Sequence, residues 1–300
     1  IFLERGADRR VWLDFLPLMC YRINMMLIDV HAHTFPDAIA GRAIKKLVEK
    51  TNHTIAAVSD GTLSGLLDQM RKSHVDASVL CPIATRPELW EGILNEACAI
   101  REGAYGAEAR AHLIPLSSVH PADPLAETHL KQVAERCIVG IKLHPYYQEF
   151  VLDAPEMLRV FACCRDLDLV VQCHCGYDIG FPFDPICSPD RVRRVIDAVP
   201  GIKLIAAHLG GWRDWRRVRD CLVGQNVYLD TAVLQINVED ADARAILHEH
   251  PAERLLFATD APWTRVEDGV RFVQREQLPA EAERAIFGAN AATLFKWKNV

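Results

Sequence analysis

The stretch Met26-Leu-Ile-Asp-Val-His-Ala-His-Thr34 frames the rest of the chain. An apolar lead runs into two histidines separated by one alanine. In an extended strand, side chains two apart share a face, so His31 and His33 project together while Ala32 points away. Two neutral imidazoles side by side at the end of a buried strand form half of a metal site, since imidazole suits zinc, copper, iron and nickel. A His-x-His pair alone carries little weight. Its meaning comes from what the later apolar runs end in.

From Met26 onward, short apolar runs alternate with amphipathic helical patterns. Eight read as strands: Leu27–His33, Ala77–Ile83, His112–Ser117, Val139–His144, Leu169–His174, Lys203–His208, Val227–Thr231 and Leu255–Asp260. Several are nearly continuous in Val, Ile, Leu and Ala, as parallel strands covered on both faces should be. Between them, Leu63–Ser73, Leu89–Gly103, Pro124–Arg136, Pro155–Leu167, Pro189–Val199, Trp215–Val223 and Asp240–His250 carry helical spacing. Asn290–Phe295 reads as a closing helix. Pro124, Pro155 and Pro189 fall at first-turn positions, where the missing N–H costs nothing, and Asp123 and Ser188 read as N-caps. Eight strand–helix units with short connections predict an α/β fold, a (β/α)8 barrel forming one domain over residues 26–300. A doubly wound sheet fits less well, because no Gly-rich phosphate turn follows the first strand. The stretch from Phe35 to Gly61 exceeds one crossover and is expected to hold an inserted helix and an irregular segment over the barrel mouth.

Composition narrows the class. Half of the 300 residues are hydrophobic and a quarter charged, as in an ordinary globular enzyme. A net charge of −6 gives no basic field for phosphate backbones, so nucleic acid is not an expected partner. The ten cysteines do not read as a disulfide framework: Cys81, Cys173 and Cys175 lie in apolar runs, and Cys163-Cys164 are adjacent in a helical pattern. They are expected to be reduced packing residues, which implies the cytoplasm. Val11–Cys20 follows Arg9-Arg10, but Asp14 and Pro17 interrupt it, it is too short to span a bilayer, and it offers no small-residue cleavage site. Residues 1–25 are therefore expected to be an extension without a role in the chemistry, and no membrane is expected as a partner.

In such barrels the working residues sit at the C-terminal ends of the strands. The polar residues there are His31 and His33 (first), Lys142 and His144 (fourth), His174 (fifth), His208 (sixth) and Asp260 (eighth). A single histidine in such a place is more often a satisfied core residue than a ligand. Five of them with an aspartate at one rim are not explained by packing, because each buried polar group without a partner costs about 1–3 kcal/mol. Gly176-Tyr-Asp-Ile-Gly-Phe-Pro182 is a loop expected to cover the mouth. Tyr146, Tyr177, Trp212 and Trp263 are candidate walls for a small-molecule substrate, with packing of the loops as the competing reading. Of the basic cluster Arg213, Arg216, Arg217 and Arg219, Arg213 is the one placed to reach an acidic substrate, the others reading as solvated helix face.

The order His-x-His, Lys, His, His, Asp on successive strands resembles the amidohydrolase superfamily. Gly140-Ile-Lys-Leu-His-Pro145, Cys173-His-Cys-Gly-Tyr-Asp178, Ala207-His-Leu-Gly-Gly211 and Phe257-Ala-Thr-Asp-Ala-Pro262 look like its amidohydrolase-2 branch. That branch holds TIM-barrel metal-dependent hydrolases and aminocarboxymuconate-semialdehyde-type decarboxylases, and the likeness runs from Met26 to the C-terminal helix. The resemblance implies that His31, His33, His174 and Asp260 hold a divalent metal. Zinc is expected first, with manganese, iron and nickel as alternatives, as one ion or two. It also implies that Asp260 takes a proton from metal-activated water, and that His208 binds the water, polarises the substrate or ligates a second ion. Lys142 and His144 are expected at the substrate; in some superfamily members a carbamylated lysine at the fourth strand instead bridges two metals.

The expectation is a metal-dependent hydrolase acting on an amide, ester or lactone bond. The decarboxylase branch typically lacks a lysine in this Lys-Leu-His-Pro setting. The alternatives are non-oxidative decarboxylation of a small unsaturated or aromatic acid at the same site, and a non-catalytic metal-binding barrel. A homo-oligomer is expected only by analogy with the fold.

Overall fold

The computed structural model describes residues 25–232 and 240–298. All eight expected strands form: β1 (Ile28–Ala32), β2 (Ala77–Leu80), β3 (Leu113–Pro115), β4 (Gly140–Leu143), β5 (Val170–Cys173), β6 (Lys203–Ala206), β7 (Tyr228–Asp230) and β8 (Leu255–Leu256). They pair in parallel and in chain order, β1 to β3 and β4 to β8. Two seams close the circle. Ser117 N donates to Gly140 O at 3.0 Å and Lys142 N to Ser117 O at 2.9 Å, which joins β3 to β4. Val30 N donates to Phe257 O at 3.0 Å, which joins β8 to β1. The fold is a (β/α)8 barrel. Every residue of β2, β4 and β5 is buried, which is why these runs are apolar on both faces rather than alternating.

The strands stop short of the polar residues expected to end them. β4 ends one residue before His144, β5 one before His174, β6 two before His208 and β8 four before Asp260. The backbone leaves the ladder at this rim, and His208 and Asp260 adopt left-handed φ values of 61° and 56°. That conformation costs a residue with a Cβ about 1–2 kcal/mol. At His208 it is supported by the N–H, which donates to Asp230 Oδ1 at 2.8 Å.

The helix Leu63–Ser73 forms as expected, capped by Thr62, whose hydroxyl accepts from Gly65 N. Pro155 and Pro189 open the helices Pro155–Asp166 and Pro189–Ala198, the second after Ser188, which sits at the N-cap without a side-chain bond. Pro124 does not open its helix, which runs Ala126–Glu135. The reason is local: Asp123 accepts from Leu125 N at 2.9 Å and pairs with His129 at 2.8 Å, so it closes a turn instead of capping. After β1 the inserted helix Asp37–Lys50 forms, and the irregular segment behind it is tied back to the barrel by Phe35 N to Gly61 O (2.8 Å) and Val58 N to Pro262 O (2.7 Å). The closing helix Asn290–Leu294 forms near the chain end. The cysteines among the described residues are free, with Cys81, Cys173 and Cys175 buried. No helix of the described residues is long and apolar enough to cross a membrane. The expectations for residues 1–24, including Val11–Cys20, lie outside the described residues.

Candidate metal centre

β1 and the chain after β8 bring His31, His33 and Asp260 together. His33 Nε2 lies 3.2 Å from His31 Nε2 and 3.1 Å from Asp260 Oδ1, and His31 Nε2 is 3.5 Å from the same oxygen. Asp260 Oδ1 is buried, yet no donor is aligned on it. Burial alone would push this carboxyl up, but the imidazoles of His31 and His33 outweigh it and hold Asp260 below the usual carboxylate range. His31 is pushed well below its usual range by burial and by Lys142, so its ring is neutral. Its Nδ1–H is given to Asp230 Oδ2 at 3.1 Å, which leaves the Nε2 lone pair facing His33 and Asp260. Two imidazole nitrogens and an orphaned carboxylate oxygen converging in this way fit a divalent cation. Lys142 enters from β4, fully buried, with Nζ 2.7 Å from His31 Nε2.

The chain after β4, β5 and β6 supplies the opposite side. His144 and His174 stack at 4.2 Å between ring centroids. His144 Nε2 faces Asp178 Oδ2 at 3.3 Å, and its Nδ1 is buried without a partner. Burial pushes His144 down; it would push Asp178 up, but the bond from His144 keeps that carboxyl below the usual range. His174 donates from Nε2 to the Tyr177 carbonyl at 3.2 Å, and its Nδ1 faces His208 Nε2 at 2.9 Å. The ligand atoms gathered between β1 and β8 therefore do not include His174, whose ring is tied to its own loop and to β6. Gly176 holds these loops together: at φ 84° it passes so close to the next loop that a Cβ would lie 2.1 Å from Trp212 N.

The aromatic candidates surround this side. Tyr146 donates its hydroxyl to the carbonyls of Gly176 (3.1 Å) and Asp184 (2.5 Å), so its polar end is spent on the loop. Tyr177 stacks on Phe183 at 3.6 Å, and Trp212 meets Trp215 edge-on at 5.4 Å and His208 at 6.2 Å. Arg216, Arg217 and Arg219 form surface ion pairs, with Asp220, with Asp190 and Asp214, and with Asp242 and Glu249.

Sequence reasoning passed over four residues that the geometry brings in. Asp230, fully buried, accepts from His31 Nδ1, from Gln172 Nε2 at 3.1 Å and from the His208 N–H, so one carboxylate ties both sides of the mouth. The signal was present, since Val227-Tyr-Leu-Asp230 ends an apolar run as the other site strands do. Asp29 shares the inward face of β1 with His31 and accepts from Thr259 Oγ1 at 2.5 Å; burial pushes its carboxyl up to about 7. Asp178 and Tyr147 lie in loops, where no periodicity marks them.

A family profile described as amidohydrolase matches residues 28–297. No curated protein matches the chain. Among solved structures, the 5-carboxyvanillate decarboxylase of Sphingomonas paucimobilis is 16% identical with a TM-score of 0.67, over 92% of this chain and 100% of its own. The 5-carboxyvanillate decarboxylase of Novosphingobium aromaticivorans, complexed with manganese and 4-hydroxy-3-methoxy-5-nitrobenzoic acid, is 15% identical with a TM-score of 0.64, over 91% of this chain and 96% of its own. A probable 2-pyrone-4,6-dicarboxylic acid hydrolase of Acinetobacter baumannii, with citric acid bound, is 15% identical with a TM-score of 0.61, over 91% of this chain and 100% of its own. At these identities the likeness speaks for the fold. The family profile spans nearly the whole barrel and its rim, and the chain belongs to the amidohydrolase family.

Proposed function

We propose that this protein is a metal-dependent hydrolase of small molecules with an amide, ester or lactone bond. The observation that carries the reading is Asp260, a buried carboxylate kept ionised, whose Oδ1 faces two imidazoles and accepts from no donor. Such a group is ionised and free of competing donors, as a carboxylate that is to meet a cation must be. His31, His33 and Asp260 would hold the ion, with His174 as the further ligand through Nδ1, which would give up its contact with His208 Nε2. Zinc is the first choice, and manganese, present in one of the similar structures, the second. When bound, a divalent ion supplies Lewis acidity, polarising a carbonyl and lowering the pKa of water from about 15.7 toward about 7. The Asp260 carboxylate would take the proton of the attacking water on the oxygen not given to the ion and deliver it to the leaving atom. Asp230 holds His31 in the tautomer that presents Nε2. His208 Nε2 binds the substrate carbonyl. Lys142 and His144 orient the rest of the substrate, with Tyr146, Tyr177 and Trp212 as its walls. The reduced cysteines favour the cytoplasm.

The rival reaction, non-oxidative decarboxylation, is the named activity of two of the three similar structures. Turnover in 18O-labelled water separates the two. Hydrolysis places one labelled oxygen in the acid product per turnover without carbon dioxide, and Asp260→Asn lowers kcat by about 10²–10⁴. Carbon dioxide release with no label in the product would replace the hydrolase reading by the decarboxylase one.

A further inference from the structure

The inserted helix Asp37–Lys50 ends at the barrel mouth. Lys50 Nζ sits 3.2 Å from the ring centroid of Phe181 and 4.6 Å from that of Tyr147. The two rings meet edge-on at 4.9 Å, and Tyr147 stands edge-on to His144 at 4.7 Å. The Lys50 stem runs along Gly180, where an added Cβ would lie 3.4 Å from its Cγ and Cδ. Among the described residues Lys50 forms no salt bridge, while Lys45 on the same helix pairs with Glu49. A lysine in the last turn of a helix is ordinarily explained by the helix dipole. That explanation needs only a charge near the helix end, and it does not account for an ammonium folded into an aromatic corner beside the site. Burial there lowers the pKa of Lys50, against the pull of Asp178.

We propose that Lys50, Tyr147 and Phe181 form an anion-binding subsite at the mouth, with Lys50 the residue that grips a carboxylate of the substrate. The inference rests on the mouth being the substrate entrance of the proposed hydrolase, and it adds the residue that reads the substrate's charge there. An ammonium over ring faces is held by about 0.5–2 kcal/mol, which a charge-assisted bond to a carboxylate readily exceeds. Lys142 does not serve this purpose, being buried against His31 Nε2.

The test is equilibrium binding of benzoate and benzamide, nearly equal in shape and different in charge, to the metal-loaded protein and to its Lys50→Met and Lys50→Arg variants. Lys50 is exposed, so neither variant threatens the fold, and metal content and circular dichroism check this. Lys50→Met is expected to weaken benzoate about tenfold. Benzamide should then stay within about twofold of the parent, and Lys50→Arg should keep most of the benzoate affinity. Equal benzoate affinity in the parent and Lys50→Met, or a parallel loss of benzamide, would overturn the proposal. Binding is read without turnover, so this outcome is independent of the labelled-water result.

Discussion

Between β8 and β1, the atoms of His31, His33 and Asp260 face one another within 3.5 Å, and the carboxylate oxygen at their centre has no aligned donor. Across the mouth, after β4 and β5, the same kind of side chain is already engaged: His144 on Asp178, His174 on the Tyr177 carbonyl. Both sides bury imidazoles, and burial pushes His31 on the one and His144 and His174 on the other below their usual range. On the first side the Asp260 oxygen accepts from no donor, although His31 Nε2 also faces Lys142 Nζ at 2.7 Å. Burial of histidine alone therefore does not distinguish the two sides; the orphaned carboxylate oxygen does. Asp230 joins the two sides, fixing a ring on one and a backbone N–H on the other.

The sharpest way to break this contrast is to remove the orphaned oxygen. Asp260→Asn should lower kcat by about 10²–10⁴, measured on any substrate that is turned over. Equal activity in Asp260→Asn and the parent would contradict the account. Next comes the carboxylate behind His31. Asp230→Asn should raise the metal Kd about 10–100-fold in chelator competition, while Asp178→Asn, on the engaged side, should leave it within about twofold. If Asp178→Asn cost as much metal affinity as Asp230→Asn, the two sides would not differ as described. Asp178→Asn should instead lower kcat/KM about tenfold by freeing the His144 ring, a loss of about 1.4 kcal/mol. The smallest effect concerns a buried histidine away from the mouth. His250, held to the Val227 carbonyl at 3.0 Å, has its pKa pushed by burial below the usual 6.5. The unfolded chain takes up this proton first, so the stability it contributes is full above about pH 6.5 and is lost as pH falls below it. Denaturant midpoints at pH 7.5 and 5.5 should differ less in His250→Gln than in the parent; an unchanged difference would show that His250 does not titrate in this way.

Much of this arrangement was legible in the sequence, because a parallel barrel writes each strand as a short apolar run and ends it in the residue the rim uses. His31, His33 and Asp260 were readable for that reason. The strand ends were not, since His208 and Asp260 leave the ladder through left-handed backbone that no apolar pattern signals. Asp230 was hidden differently. Its partner His31 lies 199 residues away, and only closure of the barrel places one under the other. Asp178, Tyr147 and Lys50 come together through loops and an inserted helix, where the packing of three separate segments decides contact and periodicity carries no information.

The most direct measurement is metal content per chain by elemental analysis, on the parent, on His31→Ala/His33→Ala and on His144→Ala, each after reconstitution with zinc or manganese. The account expects one or two equivalents in the parent and in His144→Ala, and their loss in His31→Ala/His33→Ala. No metal in the parent, or equal retention in all three, would contradict it.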